Sequence, residues 1–442
     1  MTDSHRATEE PASADGTSRR HGVNRRRFLG TTAVGATTVA TAGCLDTYES
    51  VVGSSGGDEP VTIGVLAPEP ESDPTGRAIV RSATVARNLL NDDDGIDGKP
   101  VELVIGDTNG SPLEAERQYE RLILDEGADV TVGMAKSEAL EGIIDNIAEQ
   151  ETLHITAGAA TSSVSELVRE EYEDYKYHFR AGPVNDFDLG QAQIDFLDDM
   201  AGDLGWDSIA LLAEDYEWSQ GPWETFRTQQ TELDADIVLE ERYPPAIDDF
   251  SDLYDEVEAA GADAVFISTA HTGTDALLDW AGTERPFEFG GIHVPLQYPN
   301  YYDATNEQCR FAVGQSSAPL GADITEETST FEDAFQSTHG VSTPIYTGYF
   351  AYDAITLYAE AVEQAGTRES GQLVDVLEDI SFTGSAGEIS FYGKDHDYPH
   401  DLEYRKGETI YFQWQETDGS GSQEVIWPPE HATSEYVEPD WL

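Results

Sequence analysis

Two stretches of this 442-residue chain gather side chains of the kinds that hold cations. Asp92-Asp93-Asp94-Gly95-Ile96-Asp97-Gly98 opens like a calcium loop, yet no glutamate stands at the twelfth position to complete the coordination in bidentate fashion. It reads as an acidic turn. Asp395-His396-Asp397-Tyr398-Pro399-His400-Asp401 offers imidazole and carboxylate ligands to a metal, but no helix fixes their geometry, and it reads as a solvated loop. The spacing Gly-x-Ser-x-Gly occurs at Gly53–Gly57, but in a Gly- and Ser-rich tether and not as an elbow between a strand and a helix, and there is no phosphate-binding loop and no zinc-hydrolase helix, so there is no nucleophile or general base to name. The expectation is a binding protein, not an enzyme, with no metal and no cofactor.

Charge narrows the partners. Asp and Glu number 87 against 24 Lys and Arg, a formal net charge of −63. A surface of that sign repels phosphate backbones, which excludes nucleic acid as a partner. Lysine occurs only at positions 99, 136, 176, 394 and 406. The acids scatter over every expected helix, as in Glu114-Ala115-Glu116, and so form solvated faces. Like charges at this density repel in dilute buffer, whereas in 1 M salt the screening length falls to about 3 Å. The composition reads as that of a halophile's protein.

The N-terminus carries an address. Arg25-Arg26-Arg27-Phe28-Leu29 precedes a mildly apolar stretch from Gly30 to Gly43, too short and too poor in large aliphatics to span a bilayer. Arg25, Arg26 and Phe28 resemble a twin-arginine export signal, and Thr41-Ala42-Gly43-Cys44 resembles a lipobox. Residues 1–43 are therefore expected to form a signal peptide, with Cys44 carrying a lipid that anchors the protein to the membrane outside the cell. The Gly- and Ser-rich residues 44–59 form a tether. The other cysteine, Cys309, is left without a partner and reads as a small buried apolar residue.

From Pro60 onward β-branched runs alternate with amphipathic segments, the pattern of parallel sheets with helices on both faces. The expected strands are 61–66, 101–105, 129–133 and 152–156, then 208–213, 237–243, 264–268 and 289–292. Between them helices are expected near 75–90, 112–126, 138–150, 186–204, 222–233, 250–260 and 274–281. Later helices are expected at 348–365 and 371–380, and strands at 387–391 and 409–415. Two such series suit two lobes better than one.

Several segments in order carry a resemblance: Val61-Thr62-Ile63-Gly64-Val65-Leu66-Ala67-Pro68, Gly98-Lys99-Pro100-Val101, Ala128-Asp129-Val130-Thr131-Val132-Gly133, Ala260-Gly261-Ala262-Asp263-Ala264 and Ala351-Tyr352-Asp353-Ala354. The chain resembles the branched-chain amino-acid and amide-binding proteins of ABC importers. The resemblance implies an α/β type I periplasmic-binding fold, two doubly wound lobes joined by a three-strand hinge. Lobe 1 would comprise residues 60–183 and 318–390, and lobe 2 residues 184–317 and 391–442. It also implies a monomer that closes on a small amino acid or related carboxylate or amide and delivers it to a membrane permease.

By the same resemblance the ligand contacts fall at Lys136 and Ser137 after the third strand, Ala159 and Thr161 after the fourth, Trp218 in the second lobe, and His271 and His293. Lys136 stands where relatives have a serine, and it reads either as a cation for an anionic ligand or as a surface lysine. His293 stands where amino-acid binders carry an acid for the ligand's ammonium, which argues against an ordinary α-amino acid and for a more anionic or aromatic acid. Gln297 or Tyr298 would add a hydrogen bond. A sensor module of the same fold, or a secreted hydrolase, is the alternative. From the charge alone, the melting temperature is expected to fall steeply as salt is lowered from molar to about 0.1 M; a flat melting temperature by calorimetry would contradict this.

Overall fold

The computed structural model describes residues 59–270 and 275–442. Arg25, Arg26, Phe28, Cys44, nearly all of the tether and His271 lie outside the described residues.

Strands β1 (Val61–Ala67), β2 (Val101–Asp107), β3 (Val130–Gly133), β4 (His154–Ala157) and β5 (His178–Gly182) form one parallel sheet in the order β2-β1-β3-β4-β5. All residues of β3, β4 and β5 are buried, as befits strands covered on both faces. The helices Pro74–Asp92 and Tyr346–Ala365 pack on each other and on this sheet. The first starts where Asp73 accepts the amides of Thr75 (2.6 Å) and Gly76 (3.3 Å), with Pro74 at a position that needs no N–H.

Strands β6 (Ser208–Glu214), β7 (Asp236–Tyr243), β8 (Ala264–Thr269) and β9 (Glu288–His293) make a second parallel sheet, ordered β7-β6-β8-β9. Its faces serve two apolar clusters, and β8 shows how. Ala264 and Phe266 join Phe196, Trp206 and Tyr411 on one side, while Val265 and Ile267 join Tyr254, Trp280 and Phe289 on the other. Strands β10 (Val313–Ser316), β11 (Phe382–Thr383), β12 (Glu388–Ile389), β13 (Ile410–Thr417) and β14 (Ser420–Trp427) complete the set. β10, β13 and β14 pair antiparallel beside the second sheet, and β13 adds Phe412 and Trp414 to its core.

The chain passes between the lobes three times, and Val184, Ser317 and Thr409, one from each crossing, border the same cavity of ≈ 20 Å³. The two-lobed α/β architecture expected from the sequence is therefore present. The local expectations fail at one helix and at four strands. The helix expected over 138–150 is two, Ser137–Glu141 and Ile144–Gln150, because Gly142 packs so closely on Pro112 that an added Cβ would lie 2.9 Å from its Cβ. β5 has no counterpart among the expected strands, since His178 and Arg180 break its apolar run. β10, β11 and β14 likewise have no counterpart among the expected strands.

The 395–401 stretch also departs from the solvated loop expected of it. Residues 393–397 are exposed, but His400 and Asp401 are completely buried. Both ring nitrogens of His400 are engaged, Nδ1 with the His178 carbonyl (3.1 Å) and Nε2 with Glu378 (3.0 Å), and the ring stacks on Phe179 at 4.0 Å. Asp401 accepts from Arg180 Nε (2.9 Å) and Ser165 Oγ (2.6 Å), and pairs with β5. Residues 391–402 thus side with the first sheet rather than with the second lobe, where the sequence reading put them.

The 92–98 turn lies on the surface beside an open groove of ≈ 680 Å³ bordered by Glu327, Glu360 and Glu363. Cys309 is buried, which pushes its thiol up to about 12 and leaves it unreactive. No helix of the described residues is long and apolar enough to cross a membrane.

Removing one partner of a buried ion pair strands the other charge. Asp401→Ala is therefore expected to lower unfolding stability by about 3 kcal/mol in a denaturant titration at molar salt. An unchanged midpoint and slope would show that Arg180 is held without it.

Candidate functional site

Between the carboxyl ends of the two parallel sheets lies a cavity of ≈ 70 Å³, where open α/β sheets place their ligands. The first lobe contributes Ala135, Lys136, Ser137, Gly158 and Ala160, together with Tyr346. The opposite wall is formed by Tyr216, Trp218, Ala270, Ile292, Gln297 and Gln315. The lobes are closed: Trp218 and Ile292 pack into the apolar cluster of the first sheet, and the Tyr216 hydroxyl bonds Glu138 across the gap.

The floor is built from main chain. Gly158, just past β4, has φ +145°, and an added Cβ would lie 2.9 Å from the Ala135 Cα, so only glycine lets these two turns meet. Beneath them Arg180, fully buried, uses its planar fork of donors: Nη1 holds the Ala159 carbonyl and Nη2 the Thr161 carbonyl. In a trans peptide C=O and N–H point opposite ways. Pulling the Ala159 oxygen down to Arg180 turns the Ala160 N–H away from it, and that N–H has no partner among the described residues. The neighbouring groups are spoken for. Ala159 N–H bonds the Met134 carbonyl (3.0 Å), Thr161 N–H bonds Ser137 Oγ (3.3 Å), and Ala160 O accepts from Asp186 N–H (2.8 Å). The Asp186 carboxyl in turn accepts from Ser162 N–H (3.0 Å) and is pushed up to about 7 by burial, against the pull of Arg180.

Of the residues singled out in the sequence, Lys136, Ser137 and Trp218 line the cavity. Lys136 has no carboxylate partner among the described residues; its Nζ lies over the Gly110 turn, 3.0 Å from where a Cβ there would sit. Trp218 is fixed through its Nε1, which donates to Glu214 at 2.6 Å.

Three residues do not take the expected place. Ala159 points its carbonyl down and leaves the lining to Ala160. Thr161 turns its hydroxyl to Glu141 (3.0 Å) and Ser163 (2.9 Å), away from the cavity. His293, the last residue of β9, is sunk in the second lobe against Tyr301 (3.3 Å), and burial pulls it down to about 3, so it is neutral and cannot serve as a cation. Gln297 lines the cavity, and Tyr298 does not. The residues not foreseen are Tyr216, Gln315 and Tyr346. Gln315 had no legible signal, because Val313–Ser316 reads Val-Gly-Gln-Ser, too short and too polar a run to be expected as a strand.

Among the described residues the lining holds one cation, Lys136, and no carboxylate.

Two α/β lobes, three crossings and a cavity at the strand ends define a two-lobed small-molecule binding protein. The sequence profile of the Periplasmic binding protein family matches residues 60–406, and the chain belongs to that family. Its fold is similar to that of the branched-chain amino acid transporter substrate binding protein LivJ from Streptococcus pneumoniae, solved in complex with isoleucine (TM-score 0.69, 19% identity, covering 84% of this chain and 100% of that one). It is also similar to a putative branched-chain amino acid ABC transporter protein from Silicibacter pomeroyi (TM-score 0.72, 19% identity, 87% and 100% covered). A solute binding protein from R. palustris, solved in complex with 4-hydroxybenzoate, matches at TM-score 0.69 with 17% identity over 87% of this chain and 99% of that one.

Trp218 supplies a large apolar face at the cavity wall, and its indole is pre-positioned by Glu214. Trp218→Ala is expected to weaken ligand binding more than tenfold, about 1.4 kcal/mol or more, with the melting temperature of the free protein little changed. Unaltered affinity by calorimetry would remove Trp218 from the site.

Proposed function

We propose that this protein is the solute-capturing component of an ABC importer and that its ligand is an aromatic monocarboxylate without an ammonium group. The observation that carries the reading is the cavity's charge inventory. An α-amino acid buried there would lack a counter-ion for its ammonium, and an unpaired buried charge costs several kcal/mol in typical sites. A carboxylate meets Lys136, the Ser137 hydroxyl and the Ala160 N–H. Trp218, Tyr216, Tyr346, Leu189 and Ile292 supply flat and aliphatic walls for a ring. The small volume speaks against peptides and oligosaccharides. Relatives of this fold include one solved with benzoate and one with 3,4-dihydroxybenzoic acid, which agrees with the reading.

Capture would follow the usual logic of a hinge equilibrium: contacts that exist only when both lobes reach the ligand favour the closed form. Membership of the family supports work outside the cytoplasm, and the Cys44 lipid would keep the protein beside its permease. The closed, ligand-bearing form would dock on that permease.

A thermal-shift panel in molar salt tests the ligand. Benzoate or a hydroxybenzoate at about 100 times its dissociation constant is expected to add about 2.7 kcal/mol of stability, and leucine and isoleucine none. A shift with leucine and none with aromatic acids would overturn the reading.

A further inference from the structure

The wall facing Lys136 carries an unmet hydrogen-bonding demand. Gln297 is 6% exposed, and its Nε2 donates to the Gln315 carbonyl at 2.9 Å. That bond fixes which way the amide faces, because the flipped amide would set two carbonyl oxygens against each other. Its Oε1 is then buried with no hydrogen-bond partner among the described residues. Buried acceptors of this kind are uncommon and costly in a finished structure. Next to it Gln315 is 5% exposed, lines the same cavity, and its side-chain amide has no partner among the described residues. Neither glutamine can be satisfied by a plain hydrocarbon edge.

The two polar ends of the cavity also belong to different lobes. Lys136 and Ser137 open the short helix after β3, while Gln297 follows β9 and Gln315 sits on β10. A ligand that reaches both ends ties the lobes together. A ligand with a carboxylate alone engages one lobe and leaves the Gln297 oxygen desolvated.

We infer that Gln297 is a specificity-determining residue that demands an O–H or N–H donor on the ring, at the end remote from the carboxylate, so that the preferred ligands are hydroxy- or amino-substituted aromatic monocarboxylates. This rests on the reading of the site as a binder of aromatic monocarboxylates. A donor on the ring meets Gln297 Oε1, and the oxygen or nitrogen bearing it has the Gln315 amide as a further partner. A methoxy group fills the same space but supplies no proton, and rejection of such an analogue by a site with a committed acceptor is large.

The test is isothermal titration of the whole protein in molar salt with benzoate, 3- and 4-hydroxybenzoate, 4-aminobenzoate and 4-methoxybenzoate, repeated on Gln297→Met and Gln297→Leu. The expected result is that at least one hydroxy or amino compound binds tenfold or more tighter than both benzoate and 4-methoxybenzoate, and that either substitution cuts the ratio to about threefold or less while benzoate still binds. Benzoate binding as tightly as every donor-bearing compound in the unsubstituted protein would overturn the role of Gln297 and leave the monocarboxylate reading standing. So would a ratio that persists in both variants. Binding of none of the five would overturn both. The comparison in the unsubstituted protein decides the matter even if a variant fails to fold.

Discussion

A single buried guanidinium organises the ligand side of the first lobe. Arg180 sits under the turn that follows β4, draws two carbonyls toward itself, and is neutralised by Asp401 from a segment more than two hundred residues later. Its own amide bonds the His400 carbonyl, so the strand, the turn and the last crossing segment are tied at one point. Removing a charge from water is expensive, and repayment requires nearly every donor to find an acceptor. Arginine can do this because its donors lie in one rigid plane. Because the carbonyls face inward, the Ala160 amide faces the other way. A main-chain donor is thereby offered to the cavity, and small residues in the turn let a ligand approach it.

Closure brings a second constraint, set by the protein's own acidity. Glu138 and Glu141 of the first lobe face Glu217 of the second, whose carboxyl is pushed up by burial and by those two neighbours and pulled down by Arg242. The Tyr216 hydroxyl donates across the same gap to Glu138. The closed form therefore sets a hydrogen bond from a hydroxyl to a carboxylate against like-charge repulsion. At high ionic strength repulsion between exposed carboxylates is screened, whereas the partly buried bond is screened much less. The chain's composition and its lobe closure thus suit the same medium.

Inside the cavity the protein spends few polar groups, and each is constrained. Glu214 serves as a bracket, accepting from Trp218 Nε1 and from Thr269 Oγ1 (3.1 Å). His293 is held neutral by burial. Among the described residues the polar side chains of the lining are Lys136, Ser137, Ser317, Tyr216, Tyr346, Gln297 and Gln315, set in aromatic and aliphatic walls.

The sequence alone determined the architecture, because the alternation of β-branched runs with amphipathic segments leaves few ways to bury both faces of a parallel sheet. The resemblance carried by its segments pointed to Lys136, Ser137 and Trp218, which line the cavity, each just past a strand that hydrophobic pattern makes legible. β5 was hidden because His178 and Arg180 carry polar groups that only tertiary partners satisfy, and 400–401 looked solvated for the same reason. Which of Ala159, Ala160 and Thr161 lines the cavity was decided by peptide orientation, and that depends on an arginine on the neighbouring strand β5. His293 was decided by a rotation: the last residue of a strand can face cleft or core, and here Tyr301 and the core took it. Side-chain type is written in the sequence, but the direction in which a group points is set by whichever distant partner satisfies it.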